Sequence, residues 1–217
     1  MTTPMKIDFV SDVSCPWCAI GLHALERALA ALQGTVTAEI TLQPFELNPD
    51  MPPAGQEVAA YLHERYGMSA AQLAQNSEAI RARGAEEGFT FRMDRRTHIY
   101  NTFDAHRLLH WAAPSGRQLA LKHALLKAYF EDGRNPGAHD VLLDCVEAAG
   151  LDRTEAQAVL ASDAHAEAVR AREQFYQAHG IRSVPAIIIN DRHLIEGGQP
   201  AHVFEAALRR LAETASQ

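Results

Sequence analysis

No run in this 217-residue sequence approaches the ~18 uninterrupted apolar residues of a membrane-spanning helix. Positive charge is short too: 20 Lys and Arg stand against 27 Asp and Glu, a net charge of −7, and nothing basic is clustered. Nucleic-acid and anionic-membrane partners are therefore not expected. Cysteine numbers only three, too few for a disulfide-stapled scaffold. The amino terminus, Met1-Thr2-Thr3-Pro4-Met5-Lys6, lacks a charged head followed by about 7–15 apolar residues, so no secretory signal is expected and the location reads as cytoplasmic. Repeats and low-complexity tracts are missing. What remains, 47% hydrophobic and 22% charged residues, is the composition of a globular protein with an ample core, built as one large domain or as a small one carrying an insertion.

Two of the three cysteines are paired in Cys15-Pro16-Trp17-Cys18, between an apolar segment, Ile7-Asp8-Phe9-Val10, and a helix-like run continuing through Leu32. A helix beginning at or just after Cys15 puts that sulfur at its amino end, where unpaired N–H groups and the dipole favour negative charge. A free thiol has a pKa near ~8.5, and Cys-x-x-Cys sites at helix starts bring it to roughly 7 or lower. Pro16 fits the first turn because its missing N–H would have no partner there. Cys18 projects from the same face, within reach of a disulfide. Cys15 is read as the attacking thiol and Cys18 as the resolving thiol. Half a zinc site is the competing reading; it would need Cys145 or some of the 11 histidines, and no second Cys-x-x-Cys is present. No metal is expected. A permanent disulfide would close a tiny loop and add little stability.

Around the motif the chain reads strand, helix, strand. Val36–Gln43 alternates apolar and polar without an error, the period of a half-buried strand, and the crossover predicts parallel pairing with Ile7–Val10. Pro44–Pro53 is a proline-rich exit. Helices are then predicted over 56–66, 69–83 capped by Ser69, 97–112 capped by Thr97, 116–131, 138–149, 152–161 with Asp152 and Glu155 as a capping pair, and 164–179. Only Phe89-Thr90-Phe91 looks extended there. The sheet resumes at Val184–Asn190, turns at Asn190-Asp191-Arg192, and returns as His193–Glu196; Pro200 opens a final helix through Leu211. Proline next to a buried-looking strand removes a donor, and a cis Val184–Pro185 peptide would explain it. The fold class is α/β, with residues 1–50 and 179–217 forming the sheet-bearing part around an all-helical insertion, 51–178.

These parts together resemble the thioredoxin fold, and the helical insertion is similar to that of its DsbA-like branch. CPWC at 15–18, PFELNPDMP at 44–52, NTFDAHRLLHW at 101–111, SVPAIII at 183–189 and GGQP at 197–200 resemble the FrnE-type oxidoreductases most closely, and also the related 2-hydroxychromene-2-carboxylate isomerases and kappa-class glutathione transferases. The resemblance covers essentially the whole chain. It implies that Cys15 attacks, Cys18 resolves, Pro185 is a cis-proline facing the dithiol, and the Val184 backbone pairs with bound peptide or glutathione as an added strand. It also implies that Asn101 and His106 line a cleft under the helical cap. The isomerase and transferase relatives carry serine where Cys15 stands, so two cysteines favour dithiol chemistry.

The remaining candidates each carry a plainer alternative. Trp17 contacts substrate or only tunes the dithiol, and Pro16 lies beside it in the motif. Asp12 relays a proton to Cys18 or merely ends the strand. His106 and His110 share a helix face at a spacing metals also use, or form a polar face. Cys145 lies on a stripe with Val141, Leu142 and Ala149, as a core thiol would. The expected function is thiol–disulfide exchange on a disulfide-bearing protein or small molecule, by a monomer or homodimer, with no tightly bound cofactor and glutathione as a possible co-substrate. A glutathione-dependent isomerase or transferase acting on a small aromatic or polyketide-like molecule is the first alternative. A redox-switched client-binding protein is the second.

Overall fold

Ile7, Phe9 and Val10 carry the first strand through the centre of the molecule. In the computed structural model, which describes residues 2–215, β1 spans Thr3–Ser11, α1 Pro16–Ala31 and β2 Val36–Pro44. β1 and β2 pair in parallel, from Thr3 opposite Val36 to Ser11 opposite Pro44. In β2, which has only β1 beside it, Val36 and Leu42 are buried while Thr37 and Glu39 face solvent, as the alternation requires. The chain then leaves the sheet through β3 (Gln56–Glu57), α2 (Val58–Tyr66), α3 (Ala70–Glu86), β4 (His98–Ile99), α4 (Phe103–Ala112), α5 (Gln118–Phe130), α6 (His139–Ala148), α7 (Arg153–Leu160) and α8 (Ala166–Ala178). It rejoins as β5 (Ala186–Ile189) and β6 (His193–Glu196) and closes with α9 (Ala201–Ala215). The order β2-β1-β5-β6 makes a mixed sheet in which β5 is antiparallel to both neighbours.

Successive β1 side chains face opposite ways. Ile7 and Phe9 enter the core that also holds Leu22 and Leu25 of α1 and Phe204 and Leu208 of α9. Val10, on the other face, packs with Phe45, Tyr176, Ile181 and Ala186. All three strand residues are fully buried, and burying such side chains contributes about 1.5–3 kcal/mol apiece. Between β5 and β6, Asn190 and Asp191 both take positive φ and the Arg192 N–H closes on the Ile189 carbonyl, the conformation a two-residue hairpin turn demands. Asn190 also accepts the Lys6 N–H through its side chain, so the hairpin is fixed to β1.

Several expected boundaries move. Thr97 does not cap a helix: His98–Ile99 pairs with Gln56–Glu57 as a short antiparallel ribbon, and α4 begins only at Phe103. The reason lies in the buried Ile99 and in Asn101, whose side-chain oxygen takes the Phe103 N–H. Glu57 serves both as ribbon and as the cap of α2, accepting the Ala60 N–H. Phe89–Phe91 is no strand; its two rings meet edge to face at 4.7 Å, as Phe91 meets Phe130 at 5.1 Å, so apolar packing and not sheet pairing orders it. The Ser69–Gln72 capping box and the Asp152 cap form as read.

Two close approaches set the position of α1. A Cβ on Gly21 would sit 3.1 Å from the Pro185 ring, and one on Gly198 would sit 2.7 Å from the Trp17 carbonyl oxygen. The second neighbour is backbone and cannot yield cheaply. Gly198→Ala is expected to destabilise the fold by about 1–3 kcal/mol by pushing α1 off the 197–198 loop. Urea unfolding checks this: the midpoint falls at unchanged slope.

Candidate active site

Cys15 is the N-cap residue of α1 and Pro16 its first helical residue. The Cys15 sulfur therefore stands at the positive end of the helix, and among the described residues no side chain caps that end through Cys15 itself. Both cysteines are reduced. The Cys18 thiol, hydrogen-bonded to the Cys15 sulfur, holds the Cys15 pKa below its ordinary value; burial opposes it, and the Cys18 and Trp17 backbone N–H groups assist. Cys18 moves the other way: burial first, then the neighbouring sulfur, push its pKa well up. One sulfur is readied as thiolate and the other kept as proton donor, which separates attacker from resolver.

Beneath the pair lies a cluster of buried charge. Asp12 is fully buried, and although burial works against its ionisation, His106, the Leu47 N–H and Lys122 together outweigh it and hold the carboxyl at about 2. Its oxygens accept the Ser14 N–H at 3.2 Å and the Leu47 N–H at 2.8 Å. His106 Nε2 stands 3.5 Å from the Asp12 carboxylate, an ion-pair separation without hydrogen-bond geometry. Lys122 of α5 is also completely buried, its Nζ donating to Ser11 Oγ at 3.1 Å. Burial lowers its pKa, and the negative charge of Cys18, Asp12 and Cys15 opposes that.

Above the pair opens a cleft of about 660 Å³. Cys15, Pro16, Trp17 and Val184 form one end, and Tyr61, Leu62, Leu73, Ile80, Met93 and Ile99 give it apolar walls drawn from α2, α3, β4 and the segment between α3 and β4. Of the five exposed large hydrophobic side chains among the described residues, Trp17, Leu47 and Tyr66 line this cleft. Such a concentration marks a surface that contacts something. Cys18 does not reach it. The Val184–Pro185 peptide is cis, and the Cys15 thiol donates to the Val184 carbonyl at 3.7 Å.

The structure thus brings Asp12, Cys15, Pro16, Trp17, Cys18, Val184 and Pro185 together. Asn101 and His106 it does not bring into the cleft, which corrects the expectation for them. Asn101 is spent on local partners, accepting from the Phe103 N–H and donating to the Pro49 carbonyl at 3.1 Å and the Glu46 carboxylate at 3.4 Å. His106 is buried, with its Nε2 3.5 Å from the Asp12 carboxylate. The helix expected to carry both starts six residues later than expected, which leaves Asn101 in the turn ahead of it and His106 in its first turns. Cys145 is a buried core thiol, its pKa pushed up by burial to about 11. Lys122 was not anticipated. The signal was available: in a helical run it falls between Gln118 and Leu125 on the stripe with Leu121, where a cation has no solvent to face.

A mixed sheet broken by a helical block, with a Cys-x-x-Cys at the start of the first helix opposite a cis-proline loop, defines a thioredoxin-fold protein of the kind that includes oxidoreductases and isomerases. Residues 6–209 match the DSBA-like thioredoxin domain, and the chain belongs to that family. It is similar to a probable DsbA oxidoreductase of Streptomyces coelicolor, 37% identical with a TM-score of 0.89 over 95% of this chain and 89% of that one. The YwbO protein of Bacillus subtilis is 27% identical over 96% of each chain. The cytosolic disulfide reductase DsbM of Pseudomonas aeruginosa, solved with GSH, shares the fold at 18% identity, with a TM-score of 0.67 over 96% of this chain and 99% of that one. Among the described residues no helix is long and apolar enough to cross a membrane.

Proposed function

We propose that the protein is a thiol–disulfide oxidoreductase acting on disulfides flanked by apolar groups, and that it works in the cytoplasm. The observation that carries this is the division of labour in the dithiol: Cys15, favoured as thiolate, lies in the cleft, while Cys18, favoured as thiol, is buried beneath it. The Cys15 thiolate attacks one substrate sulfur, a mixed disulfide forms, and the other substrate sulfur leaves as a thiol once protonated. Cys18 then gives up its proton and attacks Cys15, forming the Cys15–Cys18 disulfide and releasing the second substrate thiol, so two electrons pass to the substrate. A small thiol such as glutathione, the molecule held in the DsbM structure, re-reduces the pair; the reverse sequence makes disulfides.

Ionisation of Cys15 also ends its donation to the Val184 carbonyl, because a thiolate has no proton to give. That carbonyl is then free to accept an N–H from an extended substrate backbone lying in the cleft. A glutathione-dependent isomerase would need no reactive protein thiol at position 15, and the presence of one favours exchange over isomerisation.

The test is a pH profile of exchange with a model disulfide, read beside the ultraviolet absorbance of the thiolate. Rate and absorbance are expected to rise together through the lowered Cys15 pKa, because only the ionised form attacks. Asp12 works against that ionisation through its own negative charge. Asp12→Asn is therefore expected to move both curves to lower pH. A profile that follows an unperturbed thiol, or a curve displaced upward in the variant, contradicts the reading.

A further inference from the structure

Away from the cleft, two neighbouring helices bring together three side chains of the kind that hold a divalent metal. His23 and Glu26 are three apart on α1 and so share a face. His123 of α5 meets them: its Nε2 lies 2.9 Å from Glu26 Oε1, and its ring stands edge-on to that of His23 at 5.0 Å. One ligand atom from each of the three falls within 4.8 Å of the others. The backbone decides the His23 tautomer. Its Nδ1 is 2.9 Å from the Ala19 carbonyl oxygen, which can only accept, so the proton is on Nδ1 and Nε2 keeps its lone pair. Metal-ligating histidines are oriented in this way, the second ring nitrogen donating to a carbonyl. Phe89 packs on the same ring at 4.8 Å and restricts its rotation.

We propose that His23, Glu26 and His123 form a binding site for a divalent transition-metal ion, with zinc as the ion their chemistry suits best. Two imidazoles and a carboxylate are a recurrent zinc set, leaving a fourth position for water. Water has access, since the Glu26 and His123 side chains are 30% and 34% exposed. Ligands about 2.0–2.2 Å from a tetrahedral ion stand roughly 3.3 Å apart, so the trio closes by at most about 1.5 Å, through rotation of two part-exposed side chains. The ion takes the place of the proton between His123 Nε2 and Glu26, and the neutral ring then carries its proton on Nδ1. Because α1 starts at the dithiol and α5 belongs to the inserted block, the bound ion ties these two parts together. The site contains no cysteine and stands whether or not the exchange reaction does.

Paired thiols are themselves competent zinc ligands, so the test is made on the Cys15→Ser/Cys18→Ser protein, where any binding is independent of them. Calorimetric titration with zinc chloride is expected to show one equivalent bound, and the melting temperature to rise with zinc. Adding His123→Ala, or His23→Ala, is expected to weaken binding at least about tenfold, since a third of the ligands is lost, and to abolish the zinc-dependent rise. His123→Gln, which keeps the bulk and a hydrogen bond to Glu26, controls for folding. Circular dichroism without zinc shows whether each variant is folded. No saturable binding in the double-serine protein, or equal binding after both histidines are replaced, overturns the proposal.

Discussion

Cys15→Ser lowers disulfide exchange to the uncatalysed rate, while Cys18→Ser leaves the first step intact and halts the second. The nucleophile is a sulfur anion, and a hydroxyl in the same place has almost no anion at neutral pH and forms no bond that a second thiol can resolve. The loss is therefore close to complete, where lowering a thiol pKa by one unit changes the ionised fraction by about tenfold at most. In Cys18→Ser the Cys15 thiolate still attacks, but the mixed disulfide has no buried thiol beneath it and persists. Intact-protein mass spectrometry after mixing with a small disulfide reads this as a covalent adduct present in Cys18→Ser and missing in Cys15→Ser. Adduct in Cys15→Ser with none in Cys18→Ser reverses the roles that burial assigns. Undiminished exchange in Cys15→Ser removes the dithiol from the reaction.

What could be read from the sequence was whatever a few consecutive residues decide. Pro16 after Cys15 fixed the start of α1, the Ser69–Gln72 and Asp152 caps form as expected, and the alternation in β2 gave both the strand and its half-burial. The β3–β4 ribbon was illegible because two-residue strands carry no period, and its partners are far apart in the chain. Thr97 suits a helix cap through its hydroxyl and a strand through its β-branch; only the pairing of His98 with Glu57 decides it. Asn101 and His106 were placed in the cleft by resemblance, yet what each side chain does depends on segments that sequence alone does not bring near: the Pro49 carbonyl for one, Asp12 for the other. The approach of Cys15 to Val184 was likewise accessible only through resemblance, never through spacing. The same limit hid the His23–Glu26–His123 group, for the helical pair is visible in α1 but its third member waits on the packing of α5.

Lys122 was missed for the opposite reason, because charge argues for a surface and the structure places it in the interior. Its replacement is expected to have the largest effect on stability. Lys122→Met removes a completely buried amine that donates to Ser11 Oγ and whose charge favours the buried, ionised Asp12, and leaving buried polar groups short of a partner costs about 1–3 kcal/mol. Asp12 keeps its bonds to Ser14 and Leu47 and the proximity of His106, but it loses the attraction of the ammonium while Ser11 loses its donor, which puts the cost at the upper end, about 3 kcal/mol. For a chain of this length that lowers the melting temperature by roughly 6–12 °C. Neutralising Asp12 as well removes the stranded charge, so the double variant Asp12→Asn/Lys122→Met is expected to be more stable than the sum of the two single changes predicts, and thermal melts of all four proteins give that coupling directly. Chemistry moves with stability here. The ammonium of Lys122 is one of the groups that eases ionisation of Cys18, against burial and the Cys15 sulfur. Without it the resolving thiol holds its proton more tightly, and the mixed disulfide on Cys15 should decay more slowly even at temperatures where the variant is fully folded. A slow second step with an unchanged first step connects the buried cation to catalysis; unaltered decay confines Lys122 to holding the fold.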